Sequence, residues 1–186
     1  FPLAPPPAPP PNPCIKLAQP IGADFWRCSD LAFADFSGFN LTLAKFNLAN
    51  LTSADLRGAL LTEATFQSAT CVDTKFGGAQ LTDSDFSSAI LSNASFVGAT
   101  MLESALGNAV INYADFSAAR LSGSSLIGLY KAKGVKFHQT DLSGGAISNS
   151  WLTECSFKGT NFEGTAIDDV NFRGSVFRGV RWLGAM

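Results

Sequence analysis

The sequence predicts an all-β solenoid built from five-residue units, and three observations support this. From Leu31 to Leu126, every fifth residue of the 186-residue chain is apolar. The residue two positions earlier is Ala or Ser each time, except at Phe39 and Thr74. A period of five fits neither the helical spacing of three and four nor the alternation of a long strand. We therefore expect each unit to be a short extended segment followed by a corner.

Each position of the unit has a distinct expected role. In an extended segment, the large apolar residue and the small residue two before it point to the same side, which is the interior. The residue between them points outward and is usually polar, as with Asp35, Lys45 and Asn50. The two remaining residues form the corner, where pairs such as Ser37-Gly38 tolerate a turn.

The units resemble a known family motif. Residues 34–38, 54–58 and 114–118 read Ala-Asp-Phe-Ser-Gly, Ala-Asp-Leu-Arg-Gly and Ala-Asp-Phe-Ser-Ala. They resemble the pentapeptide-repeat family, whose motif is Ala-(Asp/Asn)-(Leu/Phe)-X-X, and the resemblance extends from about Ala23 to the C-terminus. It implies a right-handed parallel β-helix of square cross-section with four units per coil, hence about eight coils here. It implies no particular function, since members of the family do unrelated things.

The distribution of phenylalanine agrees with a four-sided coil. Reading every twentieth residue sorts the large inward positions before the mid-chain break into four columns, and Phe falls in only two of them, on opposite sides. One column contains Phe36, Phe76, Phe96 and Phe116, and the other contains Phe46, Phe66 and Phe86. A three-sided coil would scatter these residues over all sides.

The period is interrupted once in mid-chain. The large series passes from Leu126 to Phe137, one residue more than two units. We interpret residues 129–135 as a bulged corner within one continuous domain, residues 21–186. One interior stack is then predicted to contain Phe76, Phe96, Phe116, Phe137, Phe157 and Phe177. No Ala occupies the small position after the break, so we expect the last coils to pack differently and more irregularly.

The first twenty residues are a separate region rich in proline. Eight of the nine prolines lie within residues 1–13. Proline cannot donate ladder hydrogen bonds, so residues 1–20 are predicted to form an extended, polyproline-like arm. The arm is either a linker or a segment that lies along a neighbouring subunit. No apolar run is long enough to span a membrane.

The four cysteines divide into two groups. Cys71 and Cys155 fall at inward positions about four coils apart, too far for a disulfide, and are expected to be buried thiols. Cys14 and Cys28 are the remaining possible pair, which would join the arm to the first coil. Such a disulfide predicts an extracytoplasmic location: secreted, periplasmic or lumenal.

The sequence contains no recognisable catalytic or metal-binding pattern. The single histidine, His138, follows an inward Phe and is expected at an outward corner. No phosphate loop, CxxC motif or metal-spaced cluster is present, so no catalytic residue, metal or cofactor is predicted. Lys131, Lys133 and Lys136 form a small basic cluster without interleaved aromatics, which favours a solvated corner over a nucleic-acid site.

The charge balance distinguishes two classes of function. Some members of the family mimic duplex DNA and bind gyrase, which requires a strongly acidic surface. This chain has 15 acidic and 13 basic residues, which argues against mimicry. Acidic residues outnumber basic ones up to residue 126, and the reverse holds afterwards.

An acidic first coil and a basic last coil favour a non-enzymatic rod that stacks head to tail on copies of itself. Two alternatives are a DNA-mimicking binder of a type II topoisomerase such as gyrase, and a monomeric protein-binding scaffold with Trp182 covering the core. Neither a nucleic acid nor a membrane is an expected partner. The predicted end-to-end interface consists of Asp24, Phe25, Trp26, Asp30, Arg173, Arg178, Arg181 and Trp182.

Overall fold

The computed structural model describes residues 21–25 and 30–185, which form a four-sided solenoid. The chain returns above itself every 20 residues, and the paired residues run parallel, as in Asp30 with Asn50 and Asp55 with Lys75. No described residue is helical. The all-β class expected from the five-residue period and the four-sided coil implied by the family resemblance are confirmed. The proposed arm, residues 1–20, lies outside the described residues.

Longer strands occur only in the second half of the described chain. They are β1 (Ser125–Ile127), β2 (Ala146–Trp151), β3 (Ser156–Lys158), β4 (Ala166–Asn171) and β5 (Val176–Arg178). One parallel sheet has the order β1-β2-β4 and the other pairs β3 with β5. Earlier coils are joined by single parallel bridges at the outward residue of each side. β4 and β5 are therefore the outermost strands at the C-terminal end.

Two columns of phenylalanine fill the interior. Within a column the rings are stacked, with centroids 4.7 Å apart for Phe76 and Phe96 and again for Phe96 and Phe116. Between columns the rings meet edge to face, at 5.5 Å for Phe76 and Phe86. The stack continues through Phe137, Phe157 and Phe177. The predicted single column is confirmed, and aromatic geometry stabilises it along and across the axis.

The corners are turns whose third residue is left-handed. In the first corner the Ala34 N–H donates to the Leu31 carbonyl at 3.1 Å, and Phe33 has a φ of 61°. A positive φ at this position is the feature of a type II turn. Glycine occupies it in coil after coil at one corner, as in Gly58 and Gly78. At other corners a residue other than glycine adopts the left-handed conformation.

The outward Asp and Asn residues cap these turns. Asp35 Oδ1 accepts a hydrogen bond from the Ser37 N–H at 3.0 Å, and Asn50 accepts one from Thr52 at 3.1 Å. A short side-chain acceptor two residues before the turn satisfies a backbone donor that the ladder does not use. This explains why the unit favours Asp or Asn at an exposed position.

The mid-chain insertion lies between Ile127 and Lys131, narrower than the predicted 129–135. The Asn108 N–H donates to Ile127 at 2.8 Å, and the Ile111 N–H donates to Lys131 at 2.9 Å, so the offset changes from 19 to 20 residues between these two bonds. Leu129 and Ala132 are both fully buried here. Leu129 takes a small position and Ala132 a large one, and this exchange preserves the interior volume. Because alanine is small, a search of the sequence for large inward residues does not find Ala132.

A second one-residue insertion lies between Phe25 and Asp30. Asp24 pairs with Lys45, an offset of 21 residues, whereas Asp30 pairs with Asn50. Phe25 stacks on Phe46 with centroids 4.6 Å apart. The described solenoid therefore includes the unit of Phe25, which the strict five-residue count from Leu31 does not reach.

The last coils pack differently from the earlier ones, as expected, but they keep the regular register. Their hydroxyl groups at small positions donate to carbonyls of the preceding coil, as Thr165 does to Leu142 at 2.9 Å. Ser175 donates in the same way to Leu152 at 2.6 Å. These bonds satisfy the buried hydroxyls, so Ser and Thr replace Ala without leaving an unpaired polar group.

Loss of one ring from the stack should strongly destabilise the solenoid. Phe96 is fully buried and contacts rings above, below and across the axis. We expect Phe96→Ala to lower the free energy of unfolding by about 3–5 kcal/mol, measured by urea denaturation. Phe33, whose side chain is 78% exposed, provides the control Phe33→Ala. Equal losses for both variants would contradict the stacking argument.

Acid should weaken the turn caps. Hydrogen bonds from Ser37 lower the pKa of Asp35. Burial disfavours ionisation of Asp85, but hydrogen bonds from Ser87 and Gln67 outweigh it and lower its pKa. A lowered folded-state pKa adds stability above the unfolded value, about 3.9, and this stability is lost as pH falls through the folded value. The urea midpoint should therefore fall between about pH 5 and pH 3.

The variant Asp85→Asn should reduce this pH dependence. Asparagine can form the same kind of cap without titrating, as Asn50 does at its own turn. The matched control is Asp83→Asn, at an exposed corner two residues away. A pH dependence that is reduced equally by both changes would contradict the assignment to the caps.

Candidate functional site

The C-terminal coil exposes part of the apolar interior. The last coil contains five apolar residues that are only partly buried, although their counterparts one coil earlier are buried. They are Ile167, Val170, Phe172, Phe177 and Val180. The Trp182 indole stacks on Phe162 with ring centroids 4.5 Å apart and remains 43% exposed. The last described coil thus ends in a partly covered apolar surface.

The predicted end-to-end residues are placed unequally. Arg173, Arg178 and Arg181 are exposed in the last coil, and Asp24 and Asp30 are exposed at the first. Phe25 differs from the prediction, because it is fully buried and stacked on Phe46, so it cannot supply an exposed contact. Trp26, Cys14 and Cys28 lie outside the described residues.

Three basic side chains share one corner in consecutive coils. Lys158 and Arg178 are direct partners in the β3–β5 register, and the Gln139 N–H donates to the Lys158 carbonyl at 2.7 Å, which places His138 one coil before Lys158. Adjacent coils are ~4.8 Å apart. We call His138, Lys158 and Arg178 the basic corner. Reading every twentieth corner residue would have found it, whereas a search for consecutive charges does not.

An open groove of about 520 Å³ runs along this corner. Glycine follows both Lys158 and Arg178, and a side chain at Gly179 would meet no atom within 4 Å. The Gly159 N–H donates to the Arg178 carbonyl at 2.7 Å, so the backbone here is already paired. Recognition in the groove would rest on side chains. Its lining residues are His138, Gln139, Lys158, Gly159, Arg178 and Gly179.

The basic cluster identified in sequence is largely neutralised. Lys133 Nζ lies 3.2 Å from Glu154, and Lys136 Nζ lies 3.3 Å from Asp115. Both are paired with acids of adjacent coils. Within residues 21–25 and 30–185, neither Lys158 nor Arg178 forms an ion pair. Lys131 also forms no ion pair in these ranges, but Lys158 and Arg178 are unpaired bases on directly opposed residues of adjacent strands.

The described residues do not assemble recognisable catalytic machinery. His138 Nε2 lies 2.7 Å from Ser156 Oγ, but a serine nucleophile also requires a group that orients the histidine. No described side chain is hydrogen-bonded to the other ring nitrogen. In the same part of the chain, no three His, Cys, Asp or Glu side chains are grouped to hold a metal, and no helix could cross a membrane.

The fold and the composition of its corners define a β-solenoid with four five-residue sides per coil. The family model for pentapeptide repeats matches the chain in eight copies, over residues 29–67, 64–101, 89–128 and 146–179. The chain belongs to the pentapeptide-repeat family, whose fold is a right-handed quadrilateral β-helix. Members of this family are generally structural or binding proteins. No curated protein is significantly similar to the chain in sequence.

Solved structures of other pentapeptide-repeat proteins align with the chain, and QnrB1 shares its fold. QnrB1, a plasmid-mediated fluoroquinolone resistance protein, in a trypsin-treated variant form, aligns with a TM-score of 0.60 at 12% identity, over 87% of this chain and 84% of its own. HetL, involved in heterocyst differentiation regulation in the cyanobacterium Nostoc sp. strain PCC 7120, aligns with a TM-score of 0.40 at 22% identity, over 90% and 86%. At these identities the likeness concerns the fold alone.

The thiols of Cys71 and Cys155 should be unreactive in the folded protein. Both are free and buried, and burial raises the pKa of Cys71 and raises the pKa of Cys155 to about 11. Since the thiolate is the reactive form, both should resist iodoacetamide until the protein is denatured. Mass spectrometry after labelling in native buffer measures this.

The same experiment tests the predicted bond between Cys14 and Cys28. Those two residues should become labelled only after reduction, whereas Cys71 and Cys155 should require unfolding. Ready labelling of all four in the native, unreduced protein would contradict both predictions. The variant Cys71→Ala distinguishes the label on Cys71 from the label on Cys155 in the mass spectrum.

Proposed function

We propose that the chain is a non-enzymatic structural scaffold that assembles end to end with further copies of itself. The observation that carries this proposal is the C-terminal coil, where Phe172 and Phe177 are only partly buried, whereas Leu152 and Phe157 one coil earlier are fully buried. A second copy stacked on this coil would extend the β4 and β5 ladders and cover Phe172 and Phe177. Covering a strand edge also prevents unspecific pairing.

A second copy is a suitable occupant because the repeat matches in pitch and the ends differ in charge. Arg173, Arg178 and Arg181 would face a first coil that contains Asp24 and Asp30. Exposed ion pairs add little affinity, so these contacts would chiefly set polarity and register. Phe25 is already buried, so the apolar contribution would come from the C-terminal coil.

This contact is heterologous and propagates, giving rods of increasing length. The proline-rich arm, residues 1–20, would then lie along a neighbour or leave the rod as a linker. If Cys14 and Cys28 are bonded, the assembly belongs in an extracytoplasmic compartment.

The arginines of the last coil provide the test. Arg178→Glu combined with Arg181→Glu should shift the protein toward single rods, because the reversed charges repel the acidic first coil. Sedimentation velocity over a range of concentrations measures the distribution. Lys45→Glu and Lys75→Glu, on the sides of the rod, are controls that should leave it unchanged.

Two outcomes would overturn the proposal. A wild-type protein that stays monomeric at every concentration would favour the monomeric scaffold, with Trp182 over the core. Stoichiometric inhibition of gyrase supercoiling by the wild-type protein would favour the DNA-mimicking binder.

A further inference from the structure

The basic corner combines three positive or protonatable side chains with an unfilled groove. Lys158 and Arg178 are exposed and lie directly opposite each other on adjacent strands. Like charges in this arrangement repel and destabilise a sheet. Within the described residues, no acidic side chain forms an ion pair with Lys158 or Arg178 to offset this repulsion. The pairing of two bases therefore needs another explanation.

The same corner in an earlier coil shows how the protein neutralises a base when it does so internally. Arg57 occupies the equivalent position and forms a bidentate contact with Asp55, two residues before it, through Nε at 2.9 Å and Nη2 at 2.5 Å. At the basic corner the residue two before Lys158 is Ser156, and the residue two before Arg178 is Val176. The neutralising carboxylate is therefore replaced in both coils.

We infer that the basic corner is a binding site for a ligand carrying two or more phosphate or sulfate groups. Lys158 and Arg178 would donate charge-assisted hydrogen bonds to its oxygens, and His138, held by Ser156 at 2.7 Å, would contact a further group. The three side chains follow the axis at the ~4.8 Å strand spacing, so the site favours an extended anion over a single one.

The groove fits this ligand in shape as well as in charge. Its volume of about 520 Å³ lies in the range of small-molecule sites, about 300–1,000 Å³. Gly179 leaves open space beside Arg178, since a side chain there would meet no atom within 4 Å. Gln139, also on the groove, adds a neutral donor and acceptor.

Arg178 also belongs to the proposed end-to-end interface, but Lys158 and His138 lie one and two coils before the last one, so Lys158→Gln tests this site without changing that interface. Inorganic tripolyphosphate is the first probe and a sulfated tetrasaccharide the second, measured by isothermal titration calorimetry at fixed pH and low salt. Orthophosphate should bind more weakly than tripolyphosphate, because only the longer tripolyphosphate can contact several basic side chains at once. The probe with the higher affinity shows whether the ligand carries phosphate or sulfate groups.

Three variants locate the site. Lys158→Gln should weaken binding about tenfold, the effect of losing one charge-assisted hydrogen bond. Val176→Asp should weaken it similarly without removing a base, because it recreates beside Arg178 the acid that neutralises Arg57. Arg181→Gln is the matched control. It also removes one positive charge from the last coil, but on another side, and it should leave the affinity unchanged.

A spectroscopic readout is available because His138 is the only histidine of the chain. Its ring proton signals are therefore assigned without further work, and tripolyphosphate should shift them in the wild type but much less in Lys158→Gln. Absence of binding to both probes, unshifted His138 signals on saturation, or an equal loss of affinity in Arg181→Gln would overturn the proposal.

Discussion

The narrow interior of the coil is the constraint on which the rest of the structure depends. Four short sides enclose a space that accepts one large and one small side chain per side, as in Phe96 and Ala94, which are both fully buried. Because interiors are close-packed, neither position tolerates a larger residue without a smaller one nearby. Leu129 and Ala132 show the rule in reverse: where the small position becomes large, the large position becomes small.

The same constraint determines how the polar groups are arranged. A side of three residues is too short to bury its own corner. Each corner therefore has a left-handed residue, and Asp or Asn caps several of them, as at Asp35 and Asn50. The hydroxyl groups of Thr165 and Ser175 enter the core only because a carbonyl of the previous coil accepts their proton. The outward face, in contrast, is free of packing demands, and it is there that coils differ in charge.

This freedom explains why the site was harder to predict than the fold. The inward series from Leu31 predicted the four sides and the phenylalanine column, because packing repeats the same demand every five residues. The basic corner repeats only every 20 residues and begins after an insertion, so His138, Lys158 and Arg178 do not form a recognisable motif along the chain. The expected basic cluster was visible instead, although Lys133 and Lys136 are paired with Glu154 and Asp115.

The sequence by itself determined the all-β class and the inward positions of Cys71 and Cys155, because these follow from which residues must be excluded from water, and the four-sided coil followed from the resemblance to the family. Only the tertiary structure decided that Phe25 is covered, that the insertion lies at residues 127–131 and that Lys158 and Arg178 share a groove without an acid. These features depend on contacts between residues about 20 positions apart. A single shifted residue moves every such contact, and the local pattern does not record where the shift occurs.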